Sequence, residues 1–295
     1  MNKRPNILLI TTDEQHKMTL GCYGNPIINT RNIDRLGRDG TVYDRAYCAN
    51  PLCTPSRCSI LTGQSPEKHG AWTIGVNLPR TALSVASILA ENGYDTAALG
   101  KMHFQAGEPV AGMSEEAGDY SKNPHDFNTW SGPYYGFEKA VLSIGHTCNN
   151  IAHGLHYGKF LRDNGVDIER YWTGARAKFR NEGTPEDTLW NLPLEYHNSV
   201  WTADVTVNYL KEHAASEKPF FAWCSFQDPH DPYRVPNPYH DKYQPENVLD
   251  IIKQEGEMND KPPHFKQWFY GEDSSWLFDD DSIDASSAPG GYTMN

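Results

Sequence analysis

No apolar run in this sequence approaches membrane-spanning length. Its early apolar stretch, Ile7 to Ile10, is four residues long, against the roughly 20 that a spanning helix needs. The same brevity leaves no signal core behind the basic start Met1-Asn2-Lys3-Arg4-Pro5, so a protein with no membrane partner is expected, cytoplasmic or, where a leader has been removed, exported. Positive charge is scarce as well. Against 38 Asp and Glu stand 26 Lys and Arg, a formal net charge of -12. This disfavours the basic stripe that a nucleic-acid partner requires. It leaves open an anionic substrate held by a local group of Arg and Lys. The six cysteines, Cys22, Cys48, Cys53, Cys58, Cys148 and Cys224, contain no CxxC pair. In a chain this long they are not read as a disulfide framework. His146, Cys148, His153 and His156 suggest a second metal site by residue type alone, since their spacing matches no strong zinc pattern. No internal repeat is visible.

What is there suits a large α/β protein. With 295 residues, 38% hydrophobic and 22% charged, the chain is long enough for one large domain or two ordinary ones. Ile7-Leu8-Leu9-Ile10 reads as a strand buried on both faces, hence central in a parallel sheet. Asn32 to Leu36 reads as a short helix, and Val42 to Tyr47 as a short strand leading towards residue 53. Residues 82–92 predict an amphipathic helix with Val85, Ile88 and Leu89 on its inner face. Thr96 to Leu99 and Phe220 to Phe226 predict strands. Residues 199–213 predict a helix with Val200, Ala203, Val207 and Leu210 on one stripe and Ser199 as its cap.

The chemistry gathers at the ends of these elements. In Cys53-Thr54-Pro55-Ser56-Arg57-Cys58-Ser59-Ile60-Leu61-Thr62-Gly63, Pro55 suits the first turn of a helix and Gly63 its stop. Cys53 then sits beside unpaired backbone N–H groups able to hold an anion. Arg57, one turn on, adds a forked cation suited to an oxyanion. Ligands in open α/β sheets collect at the carboxyl ends of strands. Asp13 and Glu14, after the first strand, are therefore candidate oxygen ligands for a hard cation. Lys101 and His103, if the chain stays extended, share a side two residues apart and form a plausible oxyanion and acid/base pair. His230 lies just past the strand that ends near Phe226. Asp228 and Asp231 beside it read as loop or capping residues.

Between these blocks, residues 105–190 form a loop-rich insertion, and 112–136 has the look of a lid. Tyr134, Tyr135, Tyr157, Tyr171, Trp172 and Trp190 are candidates to stack on a sugar or aryl group, or to pack loops. Residues 254–295 read as an irregular tail whose Asp279-Asp280-Asp281 run is a solvated one.

Cys-x-Pro-Ser-Arg followed by Leu-Thr-Gly resembles the signature of the type I sulfatases, in the alkaline phosphatase superfamily. The resemblance extends over residues 5 to 240 through Gly21-Cys22-Tyr23-Gly24, His69-Gly70, Gly100-Lys101-Met102-His103, Gly136-Phe137 and Pro229-His230-Asp231-Pro232. It implies an α/β/α sandwich with a mostly parallel central sheet. It implies sulfuric ester hydrolysis by a formylglycine made from Cys53, with a maturation enzyme and a sulfated small molecule or carbohydrate as partners. By the same resemblance, Asp13, Glu14 and the side chain at 53 hold Ca²⁺, with Mg²⁺ or Mn²⁺ as alternatives. Arg57, Lys101, His103 and His230 are then catalytic, and His69 packs under the site. The family's later strand ending in Ser-Asp-His-Gly, its later lysine and its small C-terminal sheet domain are not found. A truncated N-terminal catalytic portion is therefore expected over 1–295. Two rival readings remain: a phosphonate or phosphate ester hydrolase built from the same parts, and a non-catalytic fragment.

Overall fold

Side chains that alternate along three adjacent strands fix the layers of this protein. The computed structural model describes residues 4–145, 154–167, 189–190, 192–230, 233–249, 255–257 and 259–262. The chain divides into two compact units, Met1–Lys242 and Tyr243–Asn295. The second contributes one described element, a short 3₁₀ turn at Pro245–Asn247. The first unit holds a four-stranded parallel sheet of β1 (Ile7–Thr11), β2 (Asp95–Lys101), β3 (Lys139–Ser143) and β5 (Phe220–Ser225), in the order β1-β5-β2-β3. A separate two-stranded pair joins β4 (Leu189–Trp190) to β6 (Val235–Pro236).

On one face of the sheet, Ala98, Ala140, Leu142, Phe221 and Trp223 meet Cys58 and Leu61 of α2 (Cys53–Thr62) and Ala86 of α4 (Val85–Glu91). On the other face, Ala97, Leu99, Phe220 and Ala222 meet Tyr209 of α6 (Asn198–His213). Alongside, Val141 packs against Tyr157 and Leu161 of α5 (Leu155–Asp163) and Trp201 of α6. This is the expected α/β/α sandwich. The remaining described α-helices of this unit, α1 (Arg31–Asp39) and α3 (Pro66–His69), flank α2 in sequence.

Several expectations are corrected. The Ile7–Thr11 strand lies at the sheet edge and not at its centre: it pairs only with β5 among the described strands, and Ile10 is 50% exposed. The two inner positions belong to β2 and to β5, whose six residues are all buried. Residues 42–47 are not a strand but exposed irregular chain. In α4 the inner face is Ala86 with half-buried Leu89, while Val85 and Ile88 face outward. In α6 the buried residues are Asn198, Trp201, Thr202, Thr206 and Tyr209. The large rings of Trp201 and Tyr209 bury more surface than the valines, and this turns Val207 outward. The cap of α6 is His197, which accepts a hydrogen bond from Ser199 N, so Ser199 does not cap it. Ile60 of α2 is likewise exposed.

The stretch 112–136 is not a lid over the protein. It contributes Phe127, Tyr134 and Tyr135 to the main core and buries Glu116 completely. Tyr134, Tyr135, Tyr157 and Trp190 are buried, so they pack the interior and offer no stacking face. Tyr171, Trp172, Asp231 and the run 279–281 lie outside the described residues, as do His146, Cys148 and His153. His156 accepts from Leu142 N (3.0 Å) and contacts Trp130 O (2.9 Å), so its ring is used in packing the loop. The five described cysteines are free, and no described helix is long and apolar enough to cross a membrane.

Candidate active site

The carboxyl ends of β1, β2 and β5 bring three stretches of chain to the N-terminus of α2. Leu52 precedes the helix in extended conformation, and no side chain caps it. The orphan N–H groups of its first turn therefore stay free of side-chain partners. Pro55 lies in that first turn, and Gly63 ends the helix at φ +67° with its N–H on Ser59 O (2.8 Å). His69 sits under α2 and is buried, with Nε2 3.0 Å from Ser59 Oγ and Nδ1 accepting from Ala71 N.

Asp13 is the electrostatic centre. Lys101 Nζ lies 2.5 Å from its Oδ2 and Arg57 Nη2 lies 3.6 Å from the same oxygen. Its backbone N–H donates to Asp228 O (3.2 Å), tying the end of β1 to the loop after β5. Burial alone raises a carboxyl group's pKa, but the two cations outweigh it and hold Asp13 down at about 2. Arg57 is fixed by donating from Nη1 to Lys101 O (2.6 Å) and Ser225 Oγ (2.7 Å). Ser225 also accepts from Thr11 Oγ1 (3.0 Å), which in turn accepts from Trp223 Nε1 (2.9 Å). A polar residue ending an otherwise apolar buried strand was the available signal for Ser225.

Cys53 Sγ lies 3.9 Å from Asp13 Oδ1. Burial pushes its thiol pKa up; the pull of Lys101 is offset by Asp13. His103 is fully enclosed. Burial, then Lys101 and Arg57, push it well below its ordinary value, so the ring is neutral at neutral pH. Its Nδ1 has no hydrogen-bond partner among the described residues. The chain through this region is not extended as expected. Gly100 takes φ +96° and His103 φ +57°, and with these two bends the Lys101 and His103 side chains both reach the site. Glu116 locks the turn by accepting from Phe104 N (3.1 Å) and Tyr134 OH (2.5 Å). No sequence signal marked Glu116.

His230 Nε2 lies 3.1 Å from Glu14 Oε1. Glu14 is itself in the left-handed region at φ +59° and half exposed. Asp13, Cys53 and His230 each offer one ligand atom, all within 4.8 Å of one another; Glu14 is not part of that group. Asp228 accepts from Ser199 Oγ, at the start of α6. The seven sequence-predicted residues therefore lie at one site, with Glu14 at its rim. The oxygens are few, however. Ca²⁺ takes about 6–8 oxygen ligands, and among the described residues the acidic groups here are Asp13, already engaged by two cations, and Glu14 on His230. These residues alone do not fit a Ca²⁺ shell.

Comparison with known proteins gives the wider context. A family model described as Sulfatase matches residues 5–254. The chain is 25% identical over 266 residues to an uncharacterized sulfatase of Escherichia coli K12, covering 90% of this chain and 46% of that protein. It is 30% identical over 250 residues to an arylsulfatase of Clostridium perfringens, covering 83% of this chain and 47% of the relative. The chain thus spans about half the length of these relatives. Among solved structures, the phosphonate monoester hydrolase of Agrobacterium radiobacter shares the fold, with a TM-score of 0.62 at 24% identity over 85% of this chain and 46% of the other.

Proposed function

This chain belongs to the sulfatase family, and from that premise we propose that it hydrolyses sulfuric esters through a formylglycine formed at Cys53. The observation that carries the reading is the convergence of Asp13, Cys53, Arg57, Lys101, His103 and His230 from distant parts of the chain into one largely buried, cation-rich cluster. The unmodified thiol fits a nucleophilic role poorly. Its pKa is raised, so it is protonated at neutral pH, and thiolate is the reactive form. Conversion to the aldehyde supplies a hydrated carbonyl with one hydroxyl to attack sulfur and a second to expel sulfate. The maturation enzyme that performs the conversion is the proposed protein partner.

The chain's own residues then have distinct tasks. Lys101 and Arg57 place two fixed positive charges beside residue 53, where the anionic ester group must come. Asp13 holds both cations in register. His103, neutral because it is enclosed beside two cations, is a proton acceptor. His230, with Glu14 on its ring, is the group to protonate the departing alcohol oxygen. The proposed substrate is a sulfated small molecule or carbohydrate. A divalent cation, Ca²⁺ or alternatively Mg²⁺ or Mn²⁺, is proposed with Asp13 and residue 53 as ligands. No step is assigned to it, because the described donors do not fill its shell.

The test is co-expression with a formylglycine-generating enzyme, peptide mapping around residue 53, and rates on matched aryl sulfate and aryl phosphonate esters. Loss of the Cys53 sulfur and preference for the sulfate ester are expected. A higher rate on the phosphonate ester would reassign the activity, and a fully retained thiol would remove the proposed nucleophile.

A further inference from the structure

We propose that the unconverted protein, with Cys53 still a thiol, binds Zn²⁺ through Asp13, Cys53 and His230. The inference goes beyond the hydrolytic reading and does not need it to hold. Its ground is the mismatch already described: among the described residues, the donors that meet here are one carboxylate, one sulfur and one imidazole. Hard cations select oxygen, whereas Zn²⁺ takes mixtures of sulfur, nitrogen and oxygen in tetrahedral sites.

The spacing agrees with the chemistry. Metal–ligand distances of about 2.0–2.3 Å put tetrahedral ligand atoms about 3.3–3.8 Å apart. Cys53 Sγ and Asp13 Oδ1 are 3.9 Å apart, and all three donors fall within 4.8 Å of one another. Closing the set takes small side-chain rotations. Lys101 Nζ occupies Asp13 Oδ2 at 2.5 Å, so the ion takes Oδ1, the oxygen on the cysteine side. Glu14 Oε1, 3.1 Å from His230 Nε2, sets a second carboxylate on the ligand ring; such contacts orient metal-bound imidazoles and raise affinity. Three protein ligands leave the fourth position open, as in sites that keep a water.

On binding, the Cys53 thiol gives its proton to solvent as the sulfur–zinc bond forms, and nothing is oxidised or reduced. Conversion of Cys53 to an aldehyde removes the sulfur and with it the softest ligand. The same cluster then offers oxygen and nitrogen only. The chain would therefore carry different metal preferences before and after maturation.

The experiment uses the full chain purified without the maturation enzyme, with Co²⁺ as a spectroscopic stand-in for Zn²⁺. A thiolate-to-cobalt charge-transfer band is expected, displaced by stoichiometric Zn²⁺ and not by the same concentration of Ca²⁺. The band should vanish in Cys53→Ser. Cobalt affinity should fall at least tenfold in Asp13→Asn and in His230→Ala; the latter lies in the loop after β5 and keeps the test alive should Asp13→Asn fail to fold. Absence of the band in the wild-type chain, its survival in Cys53→Ser, or displacement by Ca²⁺ as readily as by Zn²⁺ would overturn the proposal. The two readings fail separately. A cobalt–thiolate band in a chain that never hydrolyses esters removes only the hydrolytic one. Ester hydrolysis after maturation, with no band before it, removes only this one.

Discussion

Replacing Asp13 by Asn removes the one carboxylate that Lys101 and Arg57 share. Lys101 is 0% exposed and Arg57 5%, so neither cation can turn to water for compensation. Breaking a buried pair from one side costs about 3–5 kcal/mol, because it leaves buried charge uncompensated. The proton equilibrium gives an independent figure. Asp13 falls from 3.8 to about 2 on folding, which corresponds to about 2.4 kcal/mol of stabilisation at neutral pH. The smaller figure is the cost of neutralising the group in place; the larger includes losing the short contact with Lys101. Because the folded pKa is depressed, this contribution is complete above pH 4 or so and is lost as pH falls through about 2. Urea unfolding followed by the fluorescence of the eight tryptophans measures both effects. At pH 7, Asp13→Asn should lose about 3–5 kcal/mol. Between pH 5 and 2 the wild-type chain should lose about 2 kcal/mol that the variant does not. A variant within about 1 kcal/mol of wild type at pH 7, or parallel acid profiles, would refute the view that Asp13 stabilises two buried cations.

Gly100→Ala should unfold the protein or cost more than about 3 kcal/mol. Its φ is +96°, and a Cβ there would lie 2.1 Å from Ser225 O in the neighbouring central strand; a soluble variant with near-native thermal stability would show that β2 and β5 can part cheaply. Glu116 is pushed up to about 7 by burial, against the pull of Tyr134 and the Phe104 N–H. Its contribution is therefore present below about pH 4.5 and lost as pH rises through 7, by about 3 kcal/mol in all. Glu116→Gln, which keeps an acceptor for Phe104 N and Tyr134 OH, should flatten stability between pH 4.5 and 7; an unchanged slope would mean that Glu116 titrates normally.

Several of the strands and helices, and the residue types that gather at the candidate site, were legible in the sequence because both are local. Gly63 ends α2 because its left-handed backbone, at φ +67°, is strained for a residue that carries a Cβ. Strand ends could be read from short apolar runs, and the acidic and basic residues just past them marked the site. The strands expected over 7–10, 96–99 and 220–226 therefore form within one or two residues of those bounds. Rank within the sheet was not local. Ile7 to Ile10 and Phe220 to Ser225 look alike as apolar runs, yet β1 takes the edge and β5 an inner position. Pairing order depends on crossovers between strands far apart in sequence, which a single run does not encode. Helix faces failed in the same way: Trp201 and Tyr209, by the area they bury, override the smaller valine stripe of α6.

Tertiary structure alone decided the electrostatics. The sequence supplies an aspartate, a lysine, an arginine and two histidines. It does not say that Lys101 rests on Asp13 Oδ2 or that His230 rests on Glu14. Nor does it say that Glu116, from the middle of what looked like a lid, pins the turn beside His103. Charge and pKa depend on distance and burial. Here the distances are set by the left-handed bends at Gly100 and His103 and by the parallel register of β1, β5 and β2.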